Sequence, residues 1–205
     1  MIITVSREFG SGGRELGKRL ADALGLEYYD KELIAEIAKS TSLNENYVTT
    51  VLENGGFANF SFSFAHSLPL TATTPNTVTD VLVAQQKIIT AIAEKGDCVI
   101  VGRCADVIAS KFNPVRIFVY ADEQSKIKRC RERAQEGEEL TDKQLKKSFR
   151  RIDKGRAKLH DLLSSTPWGE KCGYDLMINT TRTDIKSIIP QLADLCSELA
   201  ATTDK

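Results

Sequence analysis

Apolar residues along this chain fall into two patterns: short unbroken runs, and longer stretches where they recur every three or four positions. The runs are Ile2-Ile3-Thr4-Val5, Cys98-Val99-Ile100-Val101, Val115 to Tyr120 and Leu176-Met177-Ile178. Runs without a polar face suit parallel strands covered by helices on both sides. Together with the short segment Leu26 to Tyr29, they predict five core strands: 2–6, 26–29, 98–102, 115–120 and 175–179. Helical spacing fills the gaps. Leu16, Leu20 and Leu24 recur every four residues, and Gly25 stands where a C-cap belongs. Leu33, Ile34, Ile37 and Ala38 share one face of a helix over 31–39. Ser42-x-x-Glu45 reads as a capping box before a third helix, which ends near Asn54-Gly55-Gly56. Further helices are expected over 80–95, 123–136, 141–164 and 184–200. The 141–164 helix opens with a capping box at Thr141-x-x-Gln144, and the last should be kinked by Pro190. Alternating strands and helices predict an α/β fold with a five-stranded parallel sheet and helices on both faces.

Composition narrows the possibilities. A chain of 205 residues fits one domain with a substantial core. Lys plus Arg and Asp plus Glu are both 28, which gives no global electrostatic case for a nucleic-acid or membrane partner. The five cysteines form no C-x-x-C pair, and an odd number fits reduced thiols in a cytoplasmic protein. Two histidines without ligand spacing argue against a zinc site. The N-terminus lacks the basic and apolar regions of a signal peptide, and no apolar run reaches the ~18 residues that span a bilayer. Residues 55–77 stand apart. They hold four of the eight phenylalanines (57, 60, 62, 64), with Pro69, Pro75 and many Ser and Thr. This stretch reads as a mobile surface segment over part of the core, or as a substrate-covering insert or a subunit contact, the last allowing a homodimer.

The chemistry begins at the first strand. Gly10-Ser11-Gly12-Gly13 separates it from the first helix. Strand, glycine turn, helix is the layout of a phosphate-binding loop, in which helix N-terminal N–H groups hold phosphate oxygens. A side chain at Gly12 is expected to occupy the phosphate's place. The standard signature is G-x-x-x-x-G-K-[ST]. With Gly12 on its second glycine, Arg7 falls at the first glycine, Gly13 at the lysine and Arg14 at the hydroxyl residue. The lysine that reaches the β- and γ-phosphates is therefore missing, and Arg14 and Lys18 on the same helix face are the nearby replacements.

In open parallel sheets, ligands bind beyond the C-terminal strand ends. There the sequence places Asp30, Arg103, Asp106, Asp122, Asn179, Thr180 and Thr181. A basic arm follows. Five basic residues lie between Lys126 and Arg133, and eight between Lys143 and Lys158 against the single acid Asp153. A solvated face is one reading of such an arm. The other is a helical hairpin that closes over the glycine loop, brings arginines to phosphate oxygens and excludes water.

Several motifs carry a family resemblance: SREFGSGGRELGKRLA, YYDKELI, VIVGRCADVI, IDKGRAK and YDLMINT. The chain resembles the cytidylate-kinase-like branch of the P-loop nucleoside monophosphate kinases from about Ile2 to Leu195, with a segment of about 50–85 that departs from the pattern. The resemblance implies a three-layer P-loop kinase fold with a helical lid over about 123–165 and a substrate-binding insert over about 40–85. It implies ATP-dependent phosphoryl transfer to a nucleoside monophosphate such as CMP, with Mg²⁺ accompanying ATP. By resemblance, Gly10, Ser11, Gly12, Gly13 and Arg14 hold ATP phosphates, with Arg14 or Lys18 compensating for the lysine. Asp30, Arg103 and Asp106 bind the acceptor. Arg129, Arg131, Arg133 and Arg156 are lid cations. Two other readings of the residues stand beside it: a non-catalytic nucleotide-binding module, favoured by the lost lysine, and a nucleic-acid binder using the basic helices, disfavoured by the neutral total charge.

Overall fold

The structure, a computed structural model, describes residues 1–53, 77–134 and 140–203. The four apolar runs and the segment Leu26 to Tyr29 form β1 (Ile2–Arg7), β2 (Glu27–Tyr29), β3 (Cys98–Val101), β4 (Val115–Tyr120) and β5 (Leu176–Asn179). They make one sheet in the order β2-β3-β1-β4-β5, with every neighbouring pair parallel. Register sets Val5 beside both Val101 and Ile117, so the central strand is buried from either edge.

The pleat then divides the side chains. Ile3, Val5, Val99, Val101, Ile117 and Val119 pack on α1 (Gly13–Leu24) and α8 (Ile185–Thr203), through Leu16, Leu20, Ile189 and Cys196. Cys98 and Ile100 point the other way, toward Leu33 of α2 (Glu32–Thr41) and Ile89 and Ile92 of α4 (Thr77–Lys95). The result is the three-layer α/β fold that the unbroken strands call for. On the second face, α3 (Glu45–Glu53) joins α2 and α4 through Val48, Val51 and Leu52. The short helix α5 (Ala105–Ile108) follows β3 directly. The basic arm forms α6 (Glu123–Glu132) and α7 (Asp142–Asp161), held together by Ile127, Leu145 and Phe149 against Phe9 of the glycine loop. Among the described residues no helix is long and apolar enough to cross a membrane.

The predicted capping box at Thr141 and Gln144 is present with both reciprocal bonds. The one at Ser42 is not. Ser42 closes α2 in a left-handed conformation (φ 56°), and the Asn44 side chain instead accepts the Asn46 N–H at 2.8 Å at the start of α3. Two helix ends meet within a few residues there, and the stop signal for α2 takes Ser42 before the start signal can. The helix expected over 123–136 stops at Glu132. Pro190 lies inside α8, as read from the sequence. The Phe-rich stretch lies outside the described residues, apart from Thr77 at the start of α4.

Candidate functional site

β1 ends at Arg7 and α1 starts at Gly13, with the glycine loop between them. Glu8 anchors the loop. Its N–H donates to the Val119 carbonyl at 2.9 Å, its carbonyl accepts the Ser11 hydroxyl at 2.8 Å, and its carboxylate accepts Lys126 at 2.5 Å. Fully buried Thr180, just past β5, donates its hydroxyl to the Ser11 carbonyl at 2.6 Å. Gly10 and Gly12 both have positive φ, 77° and 86°, which L side chains rarely adopt. Gly12 caps α1, so the unpaired N–H groups of the first helical turn, with the positive end of the helix dipole, lie at the loop. A Cβ on Gly12 would strike the Ile185 side chain of α8. Packing and backbone conformation therefore also favour glycine at 12, beside the reason read from the sequence.

The cations named from sequence go to different places. Arg14 is half-exposed and pairs with the buried carboxylate of Asp30, at the end of β2. Lys18 pairs with Asp22 at 2.8 Å and stands over the Tyr28 ring, away from the loop. Arg133 reaches back from α6 to Glu15 at 2.5 Å, and Arg131 to Asp142 at 2.5 Å. Arg129 lies against the loop. Its Nη2 donates to the Thr180 carbonyl, its Nε is 3.8 Å from where a Gly12 Cβ would stand, and its Nη1 is buried without a hydrogen-bond partner. Arg156 comes in from α7. Its Nη1 donates to the Arg7 carbonyl at 3.0 Å and to Asp153 at 3.1 Å, while Asp153 also accepts the Phe9 N–H at 2.8 Å. Burial pushes the Asp153 carboxyl above its usual range.

Beneath the loop lies a buried floor. Arg7 is only 7% exposed, as is Arg103 in the turn after β3. Arg103 and Cys104 both take left-handed conformations, with φ 57° and 54°. Arg7, Arg103 and Arg156 line one cavity together with Asp106, His160 and Trp168. Burial pushes the Arg7 guanidinium well below the usual arginine range, and Arg156 and Arg103 push it further in the same direction. Asp106 Oδ2 lies 3.1 Å from His160 Nε2, and both residues are buried. Asp106 Oδ1 is buried without a hydrogen-bond partner. The Tyr174 phenol, held above its usual range by burial and by Asp106, completes this corner. Burial likewise raises the Cys104 thiol, which removes it as a nucleophile at neutral pH.

The structure thus gathers Gly10 to Gly13, Arg129 and Arg156 around the loop, and Asp30, Arg103 and Asp106 around the floor. It sets Lys18 and Arg133 on neighbouring carboxylates. Sequence reasoning missed Arg7, His160, Trp168 and Tyr174 as site residues. His160 had a signal: it lies one turn after Arg156 on the same face of α7.

Comparison with known proteins bears on these features. Among curated proteins no match is found. Among solved structures, an uncharacterized protein from Eubacterium ventriosum is 27% identical, with a TM-score of 0.69 over 96% of this chain and 98% of that one. A shikimate kinase from Bacteroides thetaiotaomicron is 16% identical (TM-score 0.57; 96% and 98% covered). A shikimate kinase from Acinetobacter baumannii in complex with shikimate is 14% identical (TM-score 0.53; 96% and 93% covered). At those identities the two shikimate kinases share the fold. The family model for the cytidylate kinase-like family matches residues 2–182, and the chain belongs to that family.

Proposed function

We propose that the protein transfers the γ-phosphoryl group of ATP to a nucleoside monophosphate, with CMP as the first candidate. One observation carries the reading: a glycine loop at a helix N-terminus stands directly over a floor where Arg7, Arg103 and Arg156 converge. Phosphoryl transfer asks little covalent chemistry of a protein. It needs the two nucleotides held in line and the charge on the migrating group neutralised. The loop N–H groups from Gly10 to Arg14 suit the ATP phosphates, and Arg129 lies beside them. Asp30 and the floor arginines suit an acceptor that carries both a sugar or base and a phosphate. Asp106 offers such an acceptor only its second oxygen, since the first faces His160. Mg²⁺ would supply further charge neutralisation, held mainly by phosphates and water. No general base is required, because an acceptor phosphate is already a nucleophile near neutral pH.

A second reading, nucleotide binding without turnover, draws on the pairing of Arg14 with Asp30, which commits the nearest replacement for the lysine. The nucleic-acid reading finds less support, because Arg131, Arg133 and Lys146 on the basic hairpin each pair with an acid. A thermal-stability screen with Mg-ATP, CMP, UMP, dCMP and AMP tests the proposal, followed by a coupled kinase assay. A ligand at ~100 times its Kd adds roughly 2.7 kcal/mol. Stabilisation by Mg-ATP and CMP with turnover is the expected result. Stabilisation by ATP without turnover on any monophosphate would select the binding module, and no response to any nucleotide would reject both.

A further inference from the structure

The lysine absent at Gly13 leaves open which cation meets the migrating phosphoryl group. We propose that Arg7, entering from the end of β1 and threaded past Gly13 and Gly102, is a catalytic residue that supplies this charge to phosphate oxygens. The proposal rests on the reading of the site as one for phosphoryl transfer.

The two departures from the standard motif are one exchange in space. Gly13 stands at the lysine's position, and a Cβ there would lie 2.5 Å from Arg7 Cβ and 2.9 Å from Arg7 Cγ. Such contacts do not occur between real atoms, so any side chain at 13 excludes the Arg7 stem. Gly102, after β3, makes the other wall: a Cβ there would collide with the Arg7 guanidinium. A long cationic side chain still enters the site, but from the first-glycine position on the strand rather than from the first turn of the helix. Glycine at 13 and 102 is what gives it passage.

The guanidinium ends where an anion is wanted. It lines the floor cavity beside Arg103 and Arg156. Its ion-pair contact among the described residues is Asp30, with Nη2 3.9 Å from Oδ1, too long for a hydrogen bond. That Oδ1 is itself buried without a hydrogen-bond partner, while Arg14 takes the other oxygen. Buried charges are ordinarily paired. Arg156 has Asp153 and Arg14 has Asp30, whereas Arg7 has only its long contact to Asp30 among the described residues, and the several acceptor oxygens of a phosphate match that guanidinium. Guanidinium, with its planar fork of donors, is the cation suited to such an anion. Of the two replacements for the lysine read on the first helix, Arg14 is committed to Asp30 and Lys18 to Asp22.

The test uses the full chain and inorganic pyrophosphate as probe, so that it does not depend on turnover. Affinity is measured by calorimetry on wild type and on Arg7→Met, with circular dichroism to confirm folding. Wild type should bind pyrophosphate, and the variant should bind it 10²- to 10³-fold more weakly, the scale of one preorganised donor. Equal affinity in a folded variant, or no binding by wild type, would overturn the proposal. A wild type that binds pyrophosphate but phosphorylates no nucleotide would remove the kinase reading and leave this comparison intact. The exchange variant Arg7→Gly/Gly13→Lys keeps the idea falsifiable if Arg7→Met does not fold. Gly13→Lys alone should be strongly destabilised by the Arg7 stem, whereas the pair should fold and recover pyrophosphate affinity to within about tenfold of wild type. A folded double variant that binds no tighter than Arg7→Gly would overturn the proposal, as would a single Gly13→Lys chain as stable as wild type.

Discussion

The α6–α7 hairpin and the floor under the glycine loop both bring arginines to one mouth, and they handle the charge in opposite ways. On the hairpin, Arg131 and Arg133 are exposed to water and Lys146 is half-buried, and each takes a neighbouring carboxylate: Asp142, Glu15 and Glu123. Such pairs gain little, because water screens them and long side chains must be held still. On the floor, Arg7 and Arg103 are buried among like charges, with Asp30 the carboxylate facing Arg7. Desolvation makes that arrangement costly, and it persists because strand ends, glycines and the anchored loop fix it in place. Charges that a protein buries at such cost are better candidates for chemistry than those it displays.

Two substitutions sharpen the contrast from opposite ends. Asp106→Ala should have the largest effect on stability, because it leaves His160 and Tyr174 facing an empty corner of the floor. A loss of about 3 kcal/mol is expected, read as a shift in the urea midpoint at unchanged slope. A loss below about 0.5 kcal/mol would show that the buried pair contributes nothing to the floor. Arg133→Ala should cost less than about 1 kcal/mol in the same experiment, since its partner Glu15 returns to water. If the exposed pair proved as costly as the buried one, the distinction drawn between the two regions would fail.

The sequence was readable where one signal dominated. All five strands fall within about a residue of the segments read as strands, because such short apolar segments carry no competing helical spacing. The glycine loop and its helix were equally legible, from Gly10 to the C-cap at Gly25, which indeed takes positive φ at 66°. Ser42 misled because its capping role depends on which of two adjoining helix ends claims it. Arg7 was visible only as a mismatch in a motif. Its significance lies in the space left by Gly13 and Gly102, a relation between residues about ninety positions apart that no local spacing encodes. Arg14 illustrates the reverse. Its position on α1 is as expected, but Asp30 at the neighbouring strand end claims its guanidinium. Side chains on one helix face share a direction, yet their partners are chosen by the tertiary fold.

In the proposed function, buried floor cations rather than exposed hairpin cations receive the phosphate. A crystal structure of the chain with CMP and the non-hydrolysable analogue β,γ-methylene-ATP tests it most directly. The analogue's phosphates should lie on the N–H groups of Gly10 to Arg14, with a phosphate oxygen of either nucleotide within hydrogen-bond distance of the Arg7 guanidinium. Phosphates held by Arg133 and its neighbours on the hairpin, with Arg7 still facing only Asp30, would contradict it.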